Sequence, residues 1–205
     1  KAQDRLEFLV RRAIQANLTM GENLSKYIAN SFSDSADYKK MLSLRVDNVK
    51  NSFKITNDYV EAYKEVLENN SNNSLALTLY AQAMYHQLFS IGLPFKDYAV
   101  VEEAISKAIQ LDTNNSLAYP LMATIKRNMM GDNSMDFEEI TRKGFKSDPE
   151  NYETIIQVAH NLVFIGKFSE AITLYKKALK IAPHGPLPVR LFLLKVYIES
   201  GIPEV

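Results

Sequence analysis

The chain repeats itself, and this repetition constrains its fold more than any other feature of the sequence. The pentapeptide Asn-Asn-Ser-Leu-Ala occurs at 72–76 and again at 114–118, an offset of 42 residues. Successive offsets of 42, 36 and 34 residues also separate four anchor positions, which are Val66, Ala108, Gly144 and Ala178. Periods of roughly 20–50 residues are typical of arrays in which one supersecondary unit stacks on the next.

The joint between successive units has a constant length. Eight residues separate each anchor from the predicted start of the following helix, at Ser74, Ser116, Tyr152 and Pro186. The variation in repeat length therefore falls in the turn between the two helices of a unit. A fixed joint is what a stacked array requires, because the joint determines how each unit sits on its neighbour.

Within a unit, apolar residues follow the helical period. The segment 166–183 carries Ala171 and Ala178 on one predicted helical face, with Tyr175 between them and Pro183 at the end. Methyl-sized side chains at those two positions indicate that a neighbouring helix of the same chain comes close there. First helices such as 74–89 carry a matching apolar stripe.

A helix–turn–helix with alanine, an aromatic residue, alanine and proline in its second helix resembles the tetratricopeptide repeat. Residues 152–185 carry the pattern most completely. The resemblance implies an all-α fold, a right-handed superhelix of antiparallel helix pairs that binds proteins. The predicted organisation is N-terminal helices with a degenerate repeat at 1–73, then an array at 74–205 with units at 74–113, 116–149 and 152–185 and a lone first helix at 186–201.

The order of these units resembles a narrower group of proteins. A longer turn around 89–98 precedes Glu-Glu-Ala-Ile-Ser-Lys-Ala-Ile-Gln-Leu-Asp, and a shorter turn precedes the helix that ends at Pro183. This arrangement is similar to the repeat region of bacterial winged-helix transcriptional regulators and of repeat-linked nucleotide cyclases. It implies a fragment of a bacterial signalling protein, and it leaves the compartment open between cytoplasm and periplasm.

Composition argues against several classes of function. Lys plus Arg and Asp plus Glu are both 24, so no basic excess favours direct nucleic-acid binding. There is no cysteine, and no apolar run approaches the roughly 20 residues of a membrane-spanning helix. The sequence has neither a glycine-rich phosphate loop nor a His-Glu-x-x-His pair, and its three histidines are far apart in the sequence. We therefore expect no enzymatic activity, no cofactor and no metal site in this chain.

The resemblance implies that the first helices line a concave groove, and we expect a peptide or protein to bind there. The candidate binding residues are the first-helix positions not used for packing: Thr78, Gln82, Tyr85, His86, Thr124, Arg127, Asn128, Glu153, Ile156, His160 and Val163. Their mixture of polar, aromatic and apolar groups suits an extended segment or a helix. The alternative is a groove wall that only contacts solvent.

Two further surfaces are candidates for contacts. The turn at 89–98 includes Phe89, Phe95 and Tyr98, which either fold back onto the array or meet a partner. The last helix carries an apolar face for dimerisation or for continuation of the array, formed by Val189, Phe192, Leu193 and Val196. The alternative function is accordingly a structural module that assembles oligomers through this end helix.

Overall fold

The computed structural model describes residues 57–90, 98–130, 135–183 and 187–203. Within these ranges the chain forms eight α-helices and no strand. The helices are α1 (Asn57–Asn69), α2 (Ser74–Ser90), α3 (Ala99–Leu111), α4 (Ala118–Met130), α5 (Met135–Ser147), α6 (Tyr152–Phe164), α7 (Phe168–Ile181) and α8 (Leu187–Ser200). The helices predicted before residue 57 lie outside the described ranges.

Consecutive helices pack against each other along the whole described array. Helix α2 pairs with α3, α4 with α5 and α6 with α7, while α1 and α8 pack on α2 and α7. First helices also contact first helices, since α4 touches both α2 and α6. The predicted all-helical fold of antiparallel helix pairs, an α-solenoid, is confirmed.

The joints between units share one hydrogen-bonding pattern. The carbonyl oxygens of Val66, Ala108 and Gly144 accept the N–H of the residue four positions later, which closes the second helix. A turn follows in which the carbonyl four positions after the anchor accepts the N–H of the residue seven positions after it. Each joint therefore has the same hydrogen-bonded length, seven residues from the anchor to the end of the turn, and this explains the regular spacing in the sequence.

An asparagine ends each of these turns and caps the next helix. The side-chain oxygens of Asn73, Asn115 and Asn151 accept the N–H groups of Ala76, Ala118 and Thr154 at 2.8, 3.3 and 3.0 Å. Such caps satisfy one of the four N–H groups left open at a helix start, and loss of one costs about 1 kcal/mol. The repeated pentapeptide thus contains a recurring helix cap. Helix α4 begins at Ala118 rather than at the predicted Ser116, because Ser116 and Leu117 still belong to the capping turn.

The anchor positions and the second-helix alanines are buried in the core. Ala171, Tyr175 and Ala178 are buried, as their spacing predicts. Helix α2 is buried more completely than predicted, because α1 covers one side of it and α3 and α4 cover the other. The packing of α1 on one side and of α3 and α4 on the other determines which α2 side chains reach the surface.

Gly144 marks the closest approach between two helices of one unit. A Cβ atom at this position would lie 2.5 Å from the carbonyl oxygen of Ser116 and 2.6 Å from Cδ of Pro120. Both contacts are with rigid groups, a backbone carbonyl and a proline ring. The equivalent position in the next unit, Ala178, tolerates a methyl group.

We predict that Gly144→Ala destabilises the protein. Alanine favours a helix interior by about 1 kcal/mol over glycine, but overpacking a tight interface costs about 1–3 kcal/mol. Because the clashing groups cannot rotate away, overpacking should win, and urea unfolding should show a lower free energy of unfolding. Glu139→Ala on the same helix, at an exposed position, is the control. A Gly144→Ala variant as stable as the wild type would contradict the close approach.

Candidate protein-binding surface

The candidate surface lies along α2, α4, α6 and α8, on the side chains that do not pack against the partner helices. We call it the first-helix surface and define it by Arg127, Asn128, Phe164 and Phe192, with the buried Tyr85 of α2 hydrogen-bonded to Asn128. These residues come from the first helices of successive units, so no single unit provides the surface by itself.

A polar chain connects α2 to α4 on this surface. The Asn128 side-chain amide donates to the Tyr85 hydroxyl, and its oxygen accepts Nε and Nη2 of Arg127 at 3.1 and 3.0 Å. Tyr85 itself is buried, and its ring meets Tyr98 edge to face at 5.8 Å between centroids. Burial raises the pKa of the Tyr85 phenol, so this group stays neutral. These hydrogen bonds fix the position of the Arg127 side chain on the core side.

Arg127 then connects α4 to α6. Its guanidinium carbon lies 3.4 Å from the centroid of the Phe164 ring, with Phe137 at 5.7 Å on another side. Such cation–aromatic contacts stabilise by about 0.5–2 kcal/mol, depending on desolvation. Phe164 is nevertheless 63% exposed, which is unusual for a large apolar side chain on an ordered helix.

Phe164 was absent from the predicted binding residues, although the repeat contains the signal for it. It lies 36 residues after Asn128, which lies 42 residues after His86. The same two offsets separate the helix-capping asparagines, so all three residues occupy one position of the repeat. Phe164 ends α6 and precedes Gly166, whose φ of 74° allows the sharp turn into α7.

His160 occupies an apolar site between α6, α7 and α8. Its ring meets Phe192 at 4.4 Å and Tyr175 at 5.6 Å, both in edge-on geometry. Its Nε2 is buried without a hydrogen-bond partner. Burial, with a smaller contribution from His86, lowers the pKa of His160 to about 4. The ring is therefore neutral near pH 7 and supports Phe192, which is 40% exposed.

The remaining predicted groove residues are distributed between surface and interior. Thr78 is 0% exposed, donates to the Ser74 carbonyl oxygen and accepts from Asn115, so it is part of the joint and is not open to a partner. Thr124 donates to the Asn161 side-chain oxygen at 2.8 Å and belongs to a similar network. Ile156 and Val163 pack partly into the core. Gln82, His86 and Glu153 are half-buried.

The loop and end-helix candidates are mostly interior. Tyr98 is buried in the core, as the fold-back alternative predicts, while the side chains of Phe89 and Phe95 lie outside the described residues. On α8, Val189, Leu193 and Val196 are buried within the chain. The open face of α8 is instead formed by Leu191, Leu194 and Ile198, which are 52, 51 and 73% exposed. The apolar character of α8 continues around the whole helix, so its pattern alone did not identify the packed side.

Among the residues that the structure describes, no cluster of three or more His, Cys, Asp or Glu side chains is arranged to hold a metal ion. In the same part of the chain, no helix is both long and apolar enough to cross a membrane.

No protein-family model matches the sequence, and no curated protein matches it. Two crystal structures of MamA are similar to the chain at 22% identity. The similarity covers 70% of this chain and 72% and 77% of theirs, with TM-scores of 0.44 and 0.45. The description of the fold therefore comes from the helix pairs of this chain itself.

We predict that His160 makes the protein less stable in mild acid. The pKa of His160 is about 4 in the folded chain, below the ordinary value of 6.5. This contribution to stability is therefore intact above about pH 6.5 and is lost as the pH falls from 6.5 toward 4. Between about pH 7.5 and pH 5 the free energy of unfolding should fall by about 2 kcal/mol through this residue.

Urea titrations at the two pH values measure this loss. His160→Gln, which does not titrate, should show a loss smaller by about 2 kcal/mol. His86→Gln should retain most of the wild-type loss, since His86 contributes less than burial to the shift. An equal loss in the wild type and in His160→Gln would refute the assignment.

Proposed function

We propose that this chain is a non-catalytic protein-binding module that holds a segment of a partner on the first-helix surface. The observation that carries the proposal is a pair of exposed aromatic rings on successive first helices: Phe164, which stacks on the Arg127 guanidinium, and Phe192, which packs on His160. Aromatic residues and arginine are the groups most enriched at the centres of protein interfaces. Their supply by successive units suits an elongated segment that runs across several helices.

The packing beneath the rings supports binding rather than a role in folding. Ile155, Val158 and Leu162 on α6 face the core, whereas Phe164 on the same helix does not. Tyr175 supports His160, which in turn supports Phe192. A rigid base under exposed aromatic rings reduces the entropy lost when a partner binds.

The wider setting that we propose is a bacterial signalling or transcription-regulatory protein. Its support is the order of long and short turns: α2 and α3 are separated by residues 91–98, whereas α6 and α7 are separated only by 165–167. That order is the feature that resembles the repeat regions of winged-helix regulators and nucleotide cyclases. The module would then report the presence of its partner to another domain.

A second candidate function is assembly of oligomers through α8. The observation that favours it is the open apolar stripe of Leu191, Leu194 and Ile198. These residues lie on the side of α8 that faces away from α7 and provide a continuous surface at helical spacing. Assembly through this stripe and binding on the first-helix surface use different residues, so they can be tested separately.

We predict that Phe164→Ala together with Phe192→Ala abolishes partner capture without unfolding the chain. Large aromatic side chains at an interface centre typically contribute 2 kcal/mol or more each, so affinity should fall by about 100-fold or more. Stability should change little for Phe164, which is mostly exposed. The measurement is quantitative capture from an extract of the source cells, followed by calorimetry with the purified partner.

The matched control is Leu191→Ala together with Leu194→Ala, which removes exposed apolar side chains from the opposite face of α8. A partner retained by this control and lost by the aromatic pair supports the proposal. Equal retention by both variants would contradict it. Sedimentation over a range of protein concentrations tests the second candidate function, oligomer assembly through α8. Only that assembly should be weakened by the Leu191→Ala and Leu194→Ala pair.

A further inference from the structure

Arg127 is a positive charge that the array does not neutralise. Its Nε and Nη2 donate to Asn128, but its Nη1 is buried and has no hydrogen-bond partner. Among the described residues, no carboxylate pairs with Arg127. The one charged form among them that affects the pKa of Arg127 is that of the Tyr85 phenol. Burial lowers the pKa of Arg127, yet arginine remains protonated in proteins. A buried donor without a partner destabilises the empty state.

Arg142 on α5 differs from Arg127, because its charge is neutralised by neighbouring carboxylates. Its guanidinium donates to Glu138 at 2.7 Å and to Glu170 at 2.8 Å, and Glu138 also accepts Lys167 at 2.6 Å. These contacts connect α5 to α7 on the second-helix side of the array. The array thus pairs a more exposed arginine with two carboxylates and leaves the more buried Arg127 with none.

Phe164 covers one face of the Arg127 guanidinium from the end of α6. Its ring stacks at 3.4 Å on Arg127, but most of its surface faces solvent. Its position at the last residue of α6 places no further helical turn beyond it. Rotation of this side chain would uncover that face of the guanidinium, while Ile155, Val158 and Leu162 of the same helix stay in the core.

We propose that Arg127 is the anchor for an aspartate or glutamate side chain of the partner segment, and that Phe164 turns aside on binding to pack on the apolar residue beside that acid. This inference rests on the proposed function and specifies its ligand. A carboxylate can occupy both terminal nitrogens of arginine at once, which supplies the bond that Nη1 lacks. The acid belongs to the interior of a segment, because Tyr85 and His86 lie on one side of Arg127 and His160 and Phe192 on the other, so the chain continues past the anchor in both directions.

The experiment is selection from a random 12-residue peptide library, displayed once with the peptide C-terminus fused to its carrier and once with it free. The baits are the wild type, Arg127→Met and Lys126→Met, the last being a neighbour on α4 that removes the same charge. Wild type and Lys126→Met should enrich peptides with an internal Asp or Glu next to an apolar residue, in the fused format. Arg127→Met should not enrich acidic peptides. Charge-assisted bonds are worth about 1.5–3 kcal/mol, so the best peptide should bind Arg127→Met about 10–100-fold more weakly.

The outcomes separate this inference from the proposed function. No enrichment by any bait would overturn both. Enrichment of peptides without acidic residues, or of acidic peptides by Arg127→Met as well, would leave the module a binder and overturn the anchor. Enrichment only with a free C-terminus would assign Arg127 to a terminal carboxylate and overturn the side-chain form.

Two further measurements guard against a merely structural role for Arg127. The cost of the unpaired, unneutralised guanidinium offsets its aromatic contacts, so the urea midpoint of Arg127→Met should lie close to that of the wild type, and a large fall would overturn the inference. Arg127→Lys, which keeps the charge but not the planar fork, should bind acidic peptides with intermediate affinity.

Because the chain has no tryptophan, Phe164→Trp provides a single fluorescent reporter. Its emission should shift on addition of the selected peptide, and unchanged emission would overturn the movement of residue 164.

Discussion

Everything else in this array depends on the joint between units. An anchor carbonyl closes one helix, a short turn follows, and an asparagine side chain opens the next helix. None of these hydrogen bonds is strong, since each contributes on the order of 1 kcal/mol in net terms. Their value is geometric, because they give the three joints after α1, α3 and α5 the same length. A repeated joint repeats the placement of each first helix, and thereby brings His86, Asn128 and Phe164 to equivalent positions.

Buried polar residues strengthen the alignment. Asn161 on α6 donates to the carbonyl oxygen of Pro120 at 2.9 Å and to Thr141 at 3.1 Å, so one side chain connects three helices. Ser116 and Thr154 connect neighbouring units at 2.9 Å. Buried groups of this kind are costly unless every bond is made, and they therefore disfavour sliding of one unit against the next. Apolar packing alone would tolerate such sliding better.

The sequence was informative wherever the repeat itself carried the information. The spacing of Ala171, Tyr175 and Ala178 predicted their burial, and the constant interval predicted a conserved joint. Prediction was weaker where a helix is apolar on several sides. Thr78 on α2 and Val189 on α8 were assigned to open faces, and both are buried. Periodicity identifies the packed side of an amphipathic helix, but it cannot choose a side when the apolar residues surround the axis. The repeat offsets place Phe164 at the position of His86 and Asn128, but its exposure and its contact with Arg127 have no periodic signal.

Asn115 has two functions, and together they restrict what evolution can place there. Its side-chain oxygen caps α4, while its nitrogen donates to Ser74 at 2.7 Å and to Thr78 at 2.9 Å on the preceding unit. Serine, threonine and aspartate are good helix caps in general. None of them has an amide, with one acceptor and two donor hydrogens on the same group. At this position the other capping residues are therefore not equivalent to asparagine, and a substitution that preserved the helix would still lose both hydrogen bonds to the preceding unit.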